Sequence, residues 1–132
     1  MISVTLGKMV SLCYNISIMK NYIVFDLEWN QSANGKERSI PHFPFEIIEI
    51  GAVKLNEDFT VADRFEVTVR SSFSKRVTGR FAALTGITTE KMRSGIPFEL
   101  AVKQYNDWCG DDTVTMTWSD SDLYAIMENE EH

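Results

Sequence analysis

The sequence predicts an α/β fold: a mixed sheet of four strands in the order 3-2-1-4, with helices flanking it. Three observations lead there. Tyr22–Phe25 is a short run of aromatic and β-branched residues, the composition of a buried strand. Glu46–Leu55 and Thr60–Arg70 are two strand patterns joined by the short polar turn Asn56–Asp58, the signature of a hairpin. A helical stripe over 97–109 then leads to a fourth β-branched run, Thr113–Trp118, and a strand reached through a crossover helix runs parallel to the strand it joins. At 132 residues the chain forms one domain.

Residues 1–18 hold a single charge, Lys8, among scattered Val, Leu, Ile and Ser. They lack the basic start, compact apolar centre and cleavage site of a signal peptide. They read as a loosely attached or disordered N-terminal extension, with Met19 beginning the domain proper at 19–132. The first strand ends in Asp26-Leu-Glu28 and gives way to a polar loop, Asn30–Pro44, with Asn34-Gly35 and two prolines. His42 lies in that loop, with no neighbour to orient its ring, and reads as a surface histidine. In the second strand Ile48, Ile50 and Ala52 face one way and Ile47, Val53 and Leu55 the other, so both faces are covered. The third alternates: Val61, Phe65, Val67 and Val69 inward, Arg64, Glu66, Thr68 and Arg70 outward.

Helices follow. Val77, Phe81 and Leu84 fall at i, i+4 and i+7, which predicts a helix over 74–84. Thr88 or Thr89 caps a short turn with Glu90 near its positive end. Pro97 opens the clearest helix, whose stripe is Phe98, Ala101, Val102, Tyr105, Trp108 and Cys109, and Gly110 stops it. The fourth strand delivers Asp120 and Asp122 to its C-terminal end. Leu123, Ile126 and Met127 begin a last helix, whose apolar face is expected to meet no later element.

An apolar share of 44% and a charged share of 24% are those of an ordinary globular protein, and no apolar run reaches transmembrane length, so no membrane partner is expected. Cys13 and Cys109 are too few for a disulfide framework and read as free thiols in a reducing, cytoplasmic setting. The net charge of −6 is unevenly spread. Residues 111–132 carry seven acids and no Lys or Arg, leaving 13 basic against 12 acidic residues elsewhere. Eight of those cations lie within 64–103 beside three acids, a balance compatible either with a polyanionic partner or with a solvated charged face.

Asp26 and Glu28 are the candidate chemical groups. A side-chain period of two sets them on one face of the strand, their Cα atoms about 6.5 Å apart. Two carboxylates so placed repel each other, and a hard divalent cation such as Mg²⁺ or Mn²⁺ would relieve the repulsion.

The strand ending D-x-E, the hairpin Phe45-Glu-Ile-Ile-Glu-Ile-Gly-Ala-Val53, the segment Leu84-Thr-Gly-Ile-Thr88 and the strand end Trp118-Ser-Asp-Ser-Asp122 occur in this order. Together they resemble the DEDD-type 3′–5′ exonucleases of the ribonuclease H-like superfamily, and most closely the DEDDh branch that includes the KapD-like and histone-mRNA 3′ exonucleases. The resemblance runs over roughly 19–129. It implies a ribonuclease H-like mixed sheet and catalysis by Asp26, Glu28 and Asp122 as ligands of a two-metal Mg²⁺ or Mn²⁺ site, with Asp120 a less fitting substitute for Asp122. It also implies that Leu27, Trp29, Asn30, Leu84, Thr85, Gly86 and Ile87 line the pocket of the terminal nucleotide. The expected substrate is the 3′ end of single-stranded RNA or DNA, or a nucleoside monophosphate.

One departure stands out. The family's third motif, H-x-x-x-x-D, supplies a general base and a fourth ligand, yet only His42 and His132 are present and neither has an Asp five positions on. The chain is therefore expected to be a domain shortened before that motif and its fifth strand, with a weak or missing second metal and impaired catalysis. A catalytically inactive nucleic-acid-binding or assembly module is the alternative. A second copy covering the face of the missing strand would make a dimer.

Overall fold

The computed structural model describes residues 21–30 and 45–131. The proposed extension at 1–18, most of the loop holding His42, and His132 lie outside the described residues. Four strands form one sheet: β1 (Asn21–Asn30), β2 (Glu46–Asn56), β3 (Val61–Thr68) and β4 (Thr113–Thr117). Their order is β3-β2-β1-β4, with β2 antiparallel to β1 and β3 and β4 parallel to β1, as the sequence predicts. The helices are α1 (Gly79–Thr85), α2 (Thr89–Arg93), α3 (Phe98–Cys109) and α4 (Asp120–Glu131). No described helix is long and apolar enough to cross a membrane.

The main core lies between one face of the sheet and the helices α3 and α4. Ile23, Phe25 and Leu27 of β1 and Ile47, Ile50 and Ala52 of β2 meet Ala101 and Tyr105 of α3 and Ala125 and Ile126 of α4. Tyr105 stands edge-on to both Phe25 and Phe65. The residues of β1 between these, Val24 and Asp26, are exposed, so the strand is covered on one face only.

Strict alternation fails in β2. Glu49 pairs with Glu28, but the next pairing is Ile47 with Trp29, so Ile48 is an extra residue in the ladder. This bulge lets Ile47 and Ile50 share the main core, while Ile48 enters a second cluster with Val77, Ile87 and Met92 under α1 and α2. The expected grouping of Ile48 with Ile50 and Ala52, and of Ile47 with Val53 and Leu55, is corrected accordingly. A second irregularity, where Leu55 pairs with Val61 but Lys54 with Asp63, leaves Val61 exposed rather than inward.

The first helix is shorter than its apolar spacing predicts, starting at Gly79 instead of Ser74. The reason is a buried carboxylate. Glu46 accepts the backbone N–H groups of Ser72, Phe73 and Ser74 at 2.8, 2.9 and 3.0 Å, holding this stretch in a loop. Thr88 caps α2 as expected, its hydroxyl accepting from the Lys91 N–H at 3.1 Å. The α4 helix also departs from expectation, because its inward face is well used. Asp122, Ala125, Ile126 and Asn129 share one stripe, the first three are buried, and Met127 is 62% exposed. Asn129 accepts the Ile47 N–H at 3.0 Å and donates to the Phe45 carbonyl, so the helix closes over the start of β2.

Candidate functional site

The candidate site sits where β1 runs past the end of β4. The pairing of these strands stops at Phe25 with Thr117, and beyond it β4 no longer supplies an acceptor for β1. The side chain of Asp122, in the first turn of α4, takes that place. Its Oδ1 accepts the Leu27 N–H at 3.2 Å, and its Oδ2 accepts the Thr117 hydroxyl at 2.6 Å. Leu27 lies between Asp26 and Glu28, so Asp122 is fixed directly beside the D-x-E pair. It is 4% exposed, whereas Asp120 points to solvent.

The electrostatics follow from that crowding. Partial burial, and next the charge of Asp122, hold Asp26 above the ordinary carboxylate range, although the Leu27 N–H pulls the other way. Glu28 is likewise raised, first by burial and then by Asp26, Glu49 and Asp122. Glu49 escaped the sequence reading. It stands opposite Glu28 in the ladder, and only the register of the hairpin reveals this. Lys91 answers Glu49, its Nζ 2.7 Å from one carboxylate oxygen and 3.6 Å from Glu66. No such cation pairs with Asp26, Glu28 or Asp122 among the described residues.

This is an anionic site short of positive charge, and its oxygen donors suit a hard divalent cation in chemistry. The spacing is looser: among the described residues, no three His, Cys, Asp or Glu side chains are gathered tightly enough to hold an ion as they stand. Asp26, Glu28 and Asp122 fit a cation in charge and donor type and would have to draw together to bind it.

The residues expected to line a nucleotide pocket divide. Leu27 and Ile87 are core side chains, one in each apolar cluster. Trp29 packs edge-on to Phe45 at the rim of the main core, ring centroids 5.5 Å apart. Asn30 is buried and donates to the Arg76 carbonyl at 3.0 Å, and its own Oδ1 has no partner among the described residues. Thr85 and Gly86 form the end of α1: the Thr85 hydroxyl donates to the Phe81 carbonyl and accepts the Ile87 N–H, and Gly86 adopts φ 75°, a left-handed value that suits glycine. Leu84 alone of the set presents a large apolar side chain to solvent, at 77% exposure.

The family model described as Exonuclease (RNase T) matches residues 23–128. No curated protein matches the sequence. Among solved structures, the chain is similar to the nuclease domain of 3′hExo, a DEDDh family member bound to rAMP. That likeness has 22% identity and a TM-score of 0.71, over 87% of this chain and 62% of the other. Cell-death related nuclease 4 (CRN-4) is similar at 16% identity and a TM-score of 0.68, over 81% and 38% of the two chains. A 3′-exonuclease solved in 3′-end specific recognition of the histone mRNA stem-loop is similar at 23% identity and a TM-score of 0.64, over 76% and 47%. The chain thus spans less than two thirds of the length of each.

Proposed function

The chain belongs to the RNase T exonuclease family, and from that premise we propose that it acts as a metal-dependent 3′–5′ exonuclease of DEDDh type on single-stranded RNA or DNA. One observation carries this reading. Asp122 is fixed beside Asp26 and Glu28 at the end of β1, and burial, then the charge of the neighbouring carboxylates, raises the pKa values of Asp26 and Glu28. A crevice beside the C-terminal ends of neighbouring parallel strands is where α/β sheets place ligands.

Asp26, Glu28 and Asp122 would hold Mg²⁺ or Mn²⁺. Divalent ions bound there supply charge for the attacked phosphate and lower the pKa of water. The protein's own part is positional. Thr117 and the Leu27 N–H orient Asp122, so its carboxylate has little freedom left to lose when a cation arrives. Lys91 neutralises Glu49, which keeps a fourth negative charge from adding fully to the site. Exposed Leu84, at the end of α1, offers an apolar surface for the terminal base.

The test is a 5′-labelled single-stranded oligonucleotide incubated with the chain and Mn²⁺. The expected product is a slowly forming ladder shortening from the 3′ end, in keeping with the impaired catalysis expected without the third motif, and abolished by Asp26→Ala. Internal cleavage, or a ladder that survives Asp26→Ala, would sink the proposal. A second reading, a nucleic-acid-binding module without catalysis, is favoured by one feature: both oxygens of Asp122 already serve the fold, as those of a purely structural carboxylate would. Its mark is salt-dependent single-strand binding with no release of nucleotides.

A further inference from the structure

We propose that the surface around α1 and α2 is the track for the single strand upstream of the cleaved end, its phosphates held by Arg70, Lys75, Arg76, Arg80 and Arg93. The proposal rests on the exonuclease reading and deepens it. Residues 69–98 contain six cations and a single acid, Glu90. The structure sorts these cations into two groups. Lys91 is engaged by Glu49 and Glu66. The other five are exposed, and none of them forms an ion pair among the described residues.

The fold gathers these five on adjoining segments. The Arg93 guanidinium donates to the Lys75 carbonyl at 2.9 Å, which sets α2 against the loop before α1. The Arg70 N–H donates to the Ile96 carbonyl at 2.8 Å, just past the end of α2. Val77, next to Arg76, exchanges hydrogen bonds with the Thr89 hydroxyl. The same surface reaches the candidate site, because the Asn30 amide donates to the Arg76 carbonyl at 3.0 Å, and Asn30 lies two residues past Glu28.

Five exposed cations without an acidic partner among the described residues make a locally positive surface on a chain of net charge −6. A phosphate backbone offers the regularly spaced negative charge such a surface lacks.

The experiment measures fluorescence anisotropy of a labelled dodecathymidylate and a labelled dinucleotide with the full chain in the presence of Ca²⁺, across a range of salt. Lys75→Glu/Arg80→Glu is compared with Lys103→Glu on α3, a lysine already paired with Asp107. The double variant should bind the dodecamer about tenfold more weakly or worse, and its salt slope should fall by about 1.4, near 0.7 for each phosphate left without its cation. Dinucleotide binding and the Lys103→Glu variant should be unchanged. Arg80→Gln, a neutral change on an exposed helical side chain, should show a smaller loss of the same kind if the double variant fails to fold. Unchanged dodecamer binding, or equal loss for dodecamer and dinucleotide, overturns the track and leaves the exonuclease reading standing. Dodecamer loss in a protein that releases no mononucleotide with Mn²⁺ overturns the exonuclease reading instead.

Discussion

Asp122 has two jobs that can be separated by substitution. As an acceptor it satisfies the Leu27 N–H and the Thr117 hydroxyl at the point where the β1–β4 ladder ends. As a charge it adds to Asp26 and Glu28. Asp122→Ala removes both and leaves buried donors unpaired, so it should cost about 1–3 kcal/mol in urea unfolding. Asp122→Asn keeps an oxygen for Leu27 while removing the charge, so it should cost less in stability yet still abolish nucleotide release. The D-x-E pair was legible in the sequence because a strand's period of two needs only local information. Asp122 was singled out only through the resemblance, by matching T-W-S-D-S-D to the family's pattern, and the structure turns it, not Asp120, inward. Glu49 was not legible, because it reaches Glu28 only through the hairpin register.

At the scale of elements, the departures trace to polar contacts that no periodicity encodes. Val77, Phe81 and Leu84 have helical spacing, yet Glu46 claims three N–H groups between 72 and 74 and defers the helix to Gly79. Glu46 is 6% exposed, and replacing it with Ala would take this acceptor from Ser72 and Phe73, while the Ser74 N–H keeps the Ser71 hydroxyl at 2.7 Å. The expected loss is about 3 kcal/mol, the scale of a buried charged acceptor, with faster hydrogen exchange over 72–77. Gly95 tests the same region from the other side. A Cβ there would stand 2.6 Å from the Thr68 carbonyl oxygen and 2.8 Å from the Arg70 nitrogen, both backbone atoms that cannot swing aside. Gly95→Ala should therefore cost about 1–3 kcal/mol, and disturb the Arg70 side of the basic surface with it. By contrast, Leu84→Ala should change stability by less than about 0.5 kcal/mol, since an exposed side chain has little packing to lose. Weaker binding of a nucleoside monophosphate by that variant would mark Leu84 as a contact for the base.

Over the whole molecule, the strand order and the crossover from β3 to β4 were legible because the hairpin, the crossover helix and the parallel return leave few other topologies. The site this topology builds concentrates negative charge, which sets how the domain should respond to pH and to metal. The folded-state pKa values of Asp26 and Glu28 lie above their ordinary values. Such acids bind more protons folded than unfolded, so their contribution to stability is fully present below the unfolded pKa and is lost as pH rises through the raised one. In metal-free protein the Asp26 and Glu28 contribution should thus be lost as pH rises through and just above the ordinary carboxylate range, against the opposite trend of Asp58 and Asp63. It is read as the difference between the original chain and Asp26→Asn, in which that loss should be smaller. Its metal-free Tm near neutral pH should equal or exceed the original. Mn²⁺ reverses the sense of the same charge, since an ion bound only to the folded state stabilises it by mass action. At about 100 times the dissociation constant this amounts to about 2.7 kcal/mol, which for a domain of this size raises Tm by roughly 10 °C. Asp26→Asn should erase most of that rise while leaving the fold intact by circular dichroism. A Tm indifferent to Mn²⁺ in the original chain, over concentrations that saturate other carboxylate sites, would leave the three carboxylates with a structural role alone.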